Sequence, residues 1–276
     1  MMPPSHFPAP GGHPGQDQLL TGRAVFTEAY AVIPRGTMGD IVTSLLPGWE
    51  GTRAWILARP LTGFAETFAE YLVEVAPGGG TFADRAEPEP QAQGVLFVLS
   101  GTGVLTLDGQ EHALRPGSYA WMAPGAPWRV RNADAAPILF AWVRKRHDPA
   151  PGLETPESFV THEDDVTANA MPGTEGRWST KRFVEPDDLR HDMHVNIVAL
   201  EPGAVIPFAE THVMEHGLLV LSGKGVYRLN QDWVEVEAGD FMWLRAFCPQ
   251  ACYAGGPETF RYLLYKDVNR HPRLAL

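Results

Sequence analysis

The sequence predicts an all-β protein that contains two copies of one small β-barrel or β-sandwich domain. Its apolar residues occur in short runs, such as LVEV, VLFVLS and RYLLY, between turns that hold many of the 28 glycines and 25 prolines. Short apolar runs between frequent turns are typical of strands rather than helices. The chain also repeats itself, because LFVLSGTGV at 96–104 and LLVLSGKGV at 218–226 agree at seven of nine positions.

The repeat continues beyond this segment at the same spacing of 122 residues, the step from 96 to 218. Gly117 aligns with Gly239, and Trp121 aligns with Trp243. Self-similarity over such a length predicts two consecutive β-barrels. The expected regions are a disordered or surface-draped arm at 1–22, a β extension at 23–56, a first barrel at 57–148, a polar linker at 149–177 and a second barrel at 178–276.

Charge and composition argue against several classes of partner. The 22 Lys and Arg residues are outnumbered by 33 Asp and Glu residues, which gives a net charge of −11. This balance lacks the basic surface that nucleic acids or anionic lipids require. No apolar run approaches the roughly 20 residues of a spanning helix, and the N-terminal residues do not resemble a secretory signal. We therefore expect a cytoplasmic protein with no nucleic-acid or membrane partner.

The two cysteines are expected to be reduced and buried. Cys248 and Cys252 would lie about 13 Å apart in an extended segment, which is too far for a disulfide without a chain reversal. Small buried thiols in a reducing compartment are favoured over a metal or redox role.

A possible metal site lies in the second copy, in PFAETHVMEHGLLVLSG. It contains Glu210, His212 and His216 in the spacing E-x-H-x3-H. In a helix, the two histidines would share one face as an i,i+4 pair. In a strand, Glu210 and His212 would share a face and a turn would have to bring His216 back beside them.

The first copy decides between these two local structures. The residues that align with Glu210, His212 and His216 are Pro88, Pro90 and Gly94. Each proline in a helix interior costs ~3 kcal/mol, so a backbone shared by both copies predicts a strand and a turn. The candidate ligands would then lie at the mouth of a β-barrel.

Gln250 is a fourth candidate ligand, and it aligns with Trp128 in the first copy. Only the second copy therefore carries a complete donor set. One carboxylate, two imidazoles and one carboxamide suit Mn(II), Fe(II) or Zn(II) better than copper.

The segments that carry these residues resemble the two sequence blocks of the cupin barrel. The first block usually reads G-x5-H-x-H-x3,4-E-x6-G, whereas here Glu and His exchange places; Gln250 stands where the second block usually has histidine. The exchanged order, with HGLLVLSGKGVYRLNQDW, AGDFMWLRAFCPQACY and RYLLYKDVNRHP, is similar to the (S)-ureidoglycine aminohydrolases, bicupins of purine-ureide catabolism.

This resemblance implies an enzyme that hydrolyses (S)-ureidoglycine, a small polar ureido acid, to (S)-ureidoglycolate and ammonia. It implies a Mn²⁺ ion in the C-terminal cupin only, with Fe²⁺ or Zn²⁺ as alternatives. The implied metal ligands are Glu210, His212, His216 and Gln250. The implied substrate contacts are Tyr227, Tyr262 and Lys266.

The strand period agrees with this assignment, because Tyr262 and Lys266 share one face of a strand. They align with Phe140 and Arg144 in the first copy. The candidate catalytic residues are Glu210 as the proton shuttle, Tyr262 as an orienting phenol and Lys266 as the positive charge that meets the substrate carboxylate.

Two alternatives use the same fold. A metal-dependent bicupin oxygenase or isomerase would more commonly have three histidines and one carboxylate, and Gln250 argues against it. A non-enzymatic bicupin would bind a small molecule or serve as a store, with its metal structural or absent. In each case we expect a homo-oligomer, because cupins commonly pair their sheets across a two-fold axis.

Overall fold

A computed structural model describes residues 23–35, 43–60, 63–83, 85–268 and 270. The regular structure is almost entirely β, which confirms the predicted fold class. The arm expected at 1–22 and the last residues of the second barrel lie outside the described residues. No helix in the described part of the chain has the length and apolar character needed to cross a membrane.

The strands follow one another with short turns. Those of the first half are β1 (Val25–Phe26), β2 (Tyr30–Ile33), β3 (Thr43–Ser44), β4 (Trp49–Ala58), β5 (Ala69–Thr81), β6 (Ala92–Ser100), β7 (Gly103–Leu107), β8 (Gln110–Leu114), β9 (Ser118–Met122), β10 (Trp128–Arg131) and β11 (Ile138–Arg146). Those of the second half are β12 (Phe159–His162), β13 (Ala168–Ala170), β14 (Trp178–Lys181), β15 (Met193–Leu200), β16 (Val205–Glu210), β17 (His216–Ser222), β18 (Lys224–Leu229), β19 (Asp232–Glu237), β20 (Phe241–Leu244), β21 (Gln250–Ala254) and β22 (Phe260–Asp267).

Within the described residues these strands form three sheets. A ten-stranded sheet forms the first barrel, in the order β12-β9-β6-β11-β5-β10-β7-β8, with β4 also paired to β5 and β3 to β4. The second barrel consists of an eight-stranded sheet, β1-β2-β20-β17-β22-β15-β14-β13, and a four-stranded sheet, β16-β21-β18-β19.

The two barrels share one backbone register. In the second, His216 pairs with Lys266 on one side and with Leu244 on the other. In the first, Gly94 pairs with Arg144 and Met122, which are the residues 122 positions earlier. The spacing read from the sequence therefore matches the strand pairing of the structure.

Three apolar clusters hold the molecule together. One fills the first barrel, one fills the second, and the third lies between the two barrels. Strand β22 contributes to two of them, because Tyr262 points into the second barrel while Leu263 and Tyr265 pack against the first. This alternation follows from the two-residue period of a strand.

The segments outside the two repeats cross between the barrels. Strand β2 pairs with β20, so the N-terminal extension completes a sheet of the second barrel. Arg23 and the backbone N–H of Arg35 both bond the buried carboxylate of Asp240. Strand β12, from the segment expected to be a linker, pairs with β9 of the first barrel.

Candidate metal centre and substrate pocket

The segment with the E-x-H-x3-H spacing folds as a strand, a turn and a second strand. Strand β16 ends at Glu210, a non-regular stretch carries His212, and β17 begins at His216. This arrangement confirms the strand-and-turn prediction and excludes the helical alternative. Backbone pairing places Gln250 opposite Glu210, where β21 of the four-stranded sheet begins.

The four candidate ligands lie together at one end of the second barrel. His212 Nε2 is 3.4 Å from Glu210 Oε2. The rings of His212 and His216 are edge to face, with centroids 5.3 Å apart. Gln250 is buried on the strand next to Glu210.

The chemistry of these donors fits a divalent cation. His216 Nδ1 is buried without a hydrogen-bond partner, and burial together with His212 and Lys266 lowers the pKa of His216 to about 3. The imidazole is therefore neutral at physiological pH, as a metal ligand must be. Among the described residues, no three His, Cys, Asp or Glu side chains are grouped closely enough to hold a metal ion, so Glu210, His212 and His216 do not converge on one point in this structure.

Lys266 lies beside these ligands. It pairs with His216 on one side and His194 on the other, so the three side chains point to the same face of the sheet. Burial, and then the charge of Arg182, lowers its pKa, while the Glu210 carboxylate acts in the opposite direction. In the described structure Lys266 forms no hydrogen bond or ion pair of its own, so its charge is free to meet an anionic ligand.

Tyr227 and Tyr262 lie deeper in the same barrel. Their ring centroids are 6.1 Å apart, and both residues are buried. Burial raises both pKa values well above the ordinary value, and the nearby Glu210 carboxylate raises that of Tyr262 further. Both phenols are therefore neutral donors, and the Tyr227 hydroxyl has no hydrogen-bond partner of ordinary geometry in the described structure.

Two further buried polar residues of the second barrel were not found from the sequence. His194 and Asn196, on β15, are buried, and His194 Nε2 and Asn196 Oδ1 have no hydrogen-bond partner in the described structure. Burial and then Lys266 lower the pKa of His194 to about 4. A period-two reading of HVNIVAL, in which His194 and Asn196 share a face with Val198, could have identified them.

The equivalent region of the first barrel is filled by its own side chains. The rings of Trp128 and Trp142 are 5.2 Å apart, and Trp49 lies 6.0 Å from each. Arg144, the counterpart of Lys266, forms a two-point ion pair with Glu87, at 2.6 Å and 2.5 Å. Aromatic rings and an internal ion pair therefore occupy the space that is polar in the second barrel.

Comparison with known proteins agrees with this architecture. The cupin domain family matches residues 71–144 and 196–265. The (S)-ureidoglycine aminohydrolase of Escherichia coli (strain K12) is 30% identical over 92% of this chain and 95% of its own length. That of Arabidopsis thaliana is 31% identical over 94% of this chain and 83% of its own length.

Solved structures agree as well. The crystal structure of a Pseudomonas aeruginosa protein, named a glyoxylate-induced protein, is 64% identical and superposes with a TM-score of 0.90 over 99% of both chains. With two cupin matches over duplicated barrels and relatives of this identity along nearly the whole chain, the protein belongs to the cupin superfamily and, within it, to the (S)-ureidoglycine aminohydrolase family.

Proposed function

We propose that this protein hydrolyses (S)-ureidoglycine to (S)-ureidoglycolate and ammonia in the second barrel. The observation that carries the proposal is the asymmetry between the barrels. Glu210, His212, His216 and Gln250 lie near one another in the second barrel, whereas aromatic rings and an ion pair occupy the equivalent region of the first. The names of the related proteins indicate the substrate, and the buried polar groups of the second barrel suit it.

We propose Mn²⁺ as the metal, held by Glu210, His212, His216 and Gln250. The mixed nitrogen and oxygen donors also accept Fe²⁺ or Zn²⁺. When bound, the ion acts as a Lewis acid and as a template for the small substrate.

The substrate carries a carboxylate, an amine and a ureido group on one carbon, and the second barrel has polar groups that suit the carboxylate and the ureido group. The Lys266 ammonium pairs with the carboxylate. The ureido group has both N–H donors and a carbonyl acceptor, which suit Asn196 Oδ1 and the hydroxyl of Tyr227. His194, neutral beside Lys266, can donate or accept one further hydrogen bond.

Hydrolysis breaks the bond between this carbon and the amine nitrogen and forms a bond from the carbon to a water oxygen. A proton must leave the water, and another must reach the departing amine. We assign the proton transfer from the water to the amine to Glu210, whose Oε2 lies 3.4 Å from Nε2 of the candidate ligand His212. Tyr262, whose pKa the Glu210 carboxylate raises, stays protonated and orients the substrate.

The direct test is metal analysis of the purified protein, followed by an ammonia assay with freshly made (S)-ureidoglycine, with and without chelator. We expect ammonia release that the chelator abolishes and Mn²⁺ restores. Oxygen consumption by the iron-loaded protein, without ammonia release, would favour the oxygenase alternative. Gel filtration of the same sample tests the expected homo-oligomer.

Glu210→Gln tests the proton shuttle. The amide cannot carry the proton, so we expect kcat to fall by roughly 10²–10⁴-fold while bound metal is retained, as for loss of a general acid or base. Glu201→Gln, at an exposed position on the same barrel, is the matched control. Ammonia release near the wild-type rate by metal-loaded Glu210→Gln protein would rule out the shuttle role.

A further inference from the structure

We propose that the first barrel is a working part of the catalytic centre in the second, with Glu215 as the positioning residue that links them. The link is made by residues 63–70 of the first barrel, which we name the interbarrel strap. The inference rests on the proposed function, since it concerns the geometry of that site.

Glu215 is a buried carboxylate whose hydrogen bonds come largely from the strap. Its Oε1 accepts from the backbone N–H of Glu66 at 2.8 Å and from Trp243 Nε1 at 2.7 Å. Its Oε2 accepts from the backbone N–H of Thr67 at 2.9 Å and from Thr67 Oγ1 at 2.6 Å. Three of these four donors belong to the first barrel. Such a fully bonded buried carboxylate fixes the backbone that carries it.

The same strap also holds the strand that carries Lys266. Thr67 Oγ1 lies 3.0 Å from the hydroxyl of Tyr265, and the Phe68 ring stacks on Tyr265 with centroids 4.0 Å apart. The backbone N–H of Glu215 donates to Asp267 Oδ1 at 2.8 Å, which joins the two strands directly.

The strand geometry links the positions of these anchored residues to the positions of His216 and Lys266. Glu215 immediately precedes His216, while Tyr265 and Asp267 flank Lys266, so each anchored residue is next to a residue of the cavity. Successive side chains of a strand point to opposite faces, and a shift of the anchored residue therefore moves its neighbour inside the barrel. Outer partners of this kind typically change metal affinity or activity by 10–100-fold when removed.

The strap is not the only attachment between the barrels. Asp192 of the second barrel bonds Gln93, Lys145 Nζ at 2.5 Å and the backbone N–H of Asp148 at 2.7 Å, all from the first barrel or its end. Weakening the strap should therefore leave the barrels joined and affect the site geometry selectively.

Thr67→Val tests the proposal, because it removes the hydroxyl and keeps the shape of the side chain. Thr67→Ser restores the hydroxyl. Thr81→Val is the matched control, since Thr81 is buried in the first barrel and accepts a hydrogen bond from the backbone of Val130 at 3.3 Å, away from the strap. The measurements are Mn²⁺ affinity by electron paramagnetic resonance titration, kcat and KM for ammonia release, and Tm.

We expect Thr67→Val to weaken Mn²⁺ binding about tenfold and to lower kcat by a similar factor. Thr67→Ser should stay within about twofold of wild type, and Thr81→Val should lower only Tm. Trp243→Phe, which removes another donor to Glu215, should shift Mn²⁺ affinity in the same direction and replaces Thr67→Val if that variant does not fold.

Two results distinguish failure of this inference from failure of the proposed function. If the Thr67 and Trp243 variants bind Mn²⁺ and turn over like wild type while losing Tm, the strap is only structural and the inference is overturned. If wild-type protein neither binds Mn²⁺ nor releases ammonia, the proposed function fails instead.

Discussion

Arg144 and Lys266 occupy equivalent positions in the two barrels and meet opposite surroundings. Arg144 is neutralised by Glu87 and also bonds the Tyr71 hydroxyl at 3.1 Å. Lys266 lies beside two imidazoles and within the field of Glu210, and burial lowers its pKa. The charge of Arg144 is therefore neutralised within its own barrel, whereas the ammonium of Lys266 remains available to a bound carboxylate.

Lys266→Met should raise KM for (S)-ureidoglycine by roughly 10–100-fold, as expected for loss of a charge-assisted hydrogen bond. In wild-type protein the ammonium loses its proton as pH rises through its lowered pKa. KM should therefore increase at a pH below that of an ordinary lysine, and the variant should lack this increase. KM measured against pH checks both effects.

Lys224→Met is the control for this experiment. Lys224 is exposed and pairs with Glu237 at 3.1 Å on the outside of the barrel. Its replacement should leave KM unchanged at every pH. An unchanged KM in Lys266→Met would exclude the carboxylate contact.

At the scale of strands, β17 and β22 each have one face that builds the site and one that packs against the first barrel. The packing is closest at Gly217, where a Cβ atom would lie 2.7 Å from the Phe68 ring and 2.9 Å from Glu70 Oε2. The alignment places Val95 at the corresponding position of the first barrel. Glycine is required at position 217 because the two sheets approach closely there, and not because the backbone adopts an unusual angle.

Gly217→Ala should lower the free energy of unfolding by about 1–3 kcal/mol, the usual cost of overpacking a core. Gly256→Ala is the matched control, because a Cβ atom there would meet nothing closer than 3.5 Å. Denaturant titration of both variants checks the difference. Equal stabilities would show that the sheets can separate at Gly217 without cost.

The sequence predicted the strands, the repeat and the strand-and-turn at Glu210 because these depend on local period, turn residues and one internal comparison. The pairing of β2 with β20 could not be predicted, since nothing local in Tyr30–Ile33 specifies a partner more than 200 residues away. Glu215 was missed for the same reason, because its donors Glu66 and Thr67 are distant in sequence. Phe140 was informative only because the repeat supplied Tyr262 for comparison.

At the scale of the whole molecule, the barrels are interlocked by exchanged strands. The second barrel uses β1 and β2, while the first uses β12. We expect a truncated protein comprising residues 150–276 to aggregate, because it lacks β2 and exposes the edge of β20 and the interbarrel apolar face. Light scattering and circular dichroism of this fragment check the expectation. A monomeric, folded fragment would contradict it.

The interface between the barrels also contains a buried acidic residue, Glu70, with an oxygen that accepts no hydrogen bond from the described residues. Glu70 Oε2 has no hydrogen-bond partner in the described structure, and burial raises the pKa of Glu70 to about 8. Folded protein therefore keeps a proton that the unfolded chain releases once pH rises above the ordinary value of 4.5. The contribution of Glu70 to stability is therefore fully present below pH 4.5, declines as pH rises from 4.5 to about 8, and changes no further above that range.

Glu70→Gln removes this titration. The variant should gain stability relative to wild type as pH rises from 5 to 8, by a few kcal/mol at the upper end. Unfolding measured at several pH values in both proteins checks the slope. A difference that does not change with pH would show that Glu70 is not a buried neutral acid.

The pairing of β2 with β20 also constrains how the chain is made. Strand β2 leaves the ribosome before either barrel, but its partner β20 follows more than 200 residues later. The barrel that carries the site can therefore close only after β20 has been synthesised, while most of the first barrel can assemble earlier. A nascent chain stalled before residue 241 should hold a folded first barrel beside an unfinished second one.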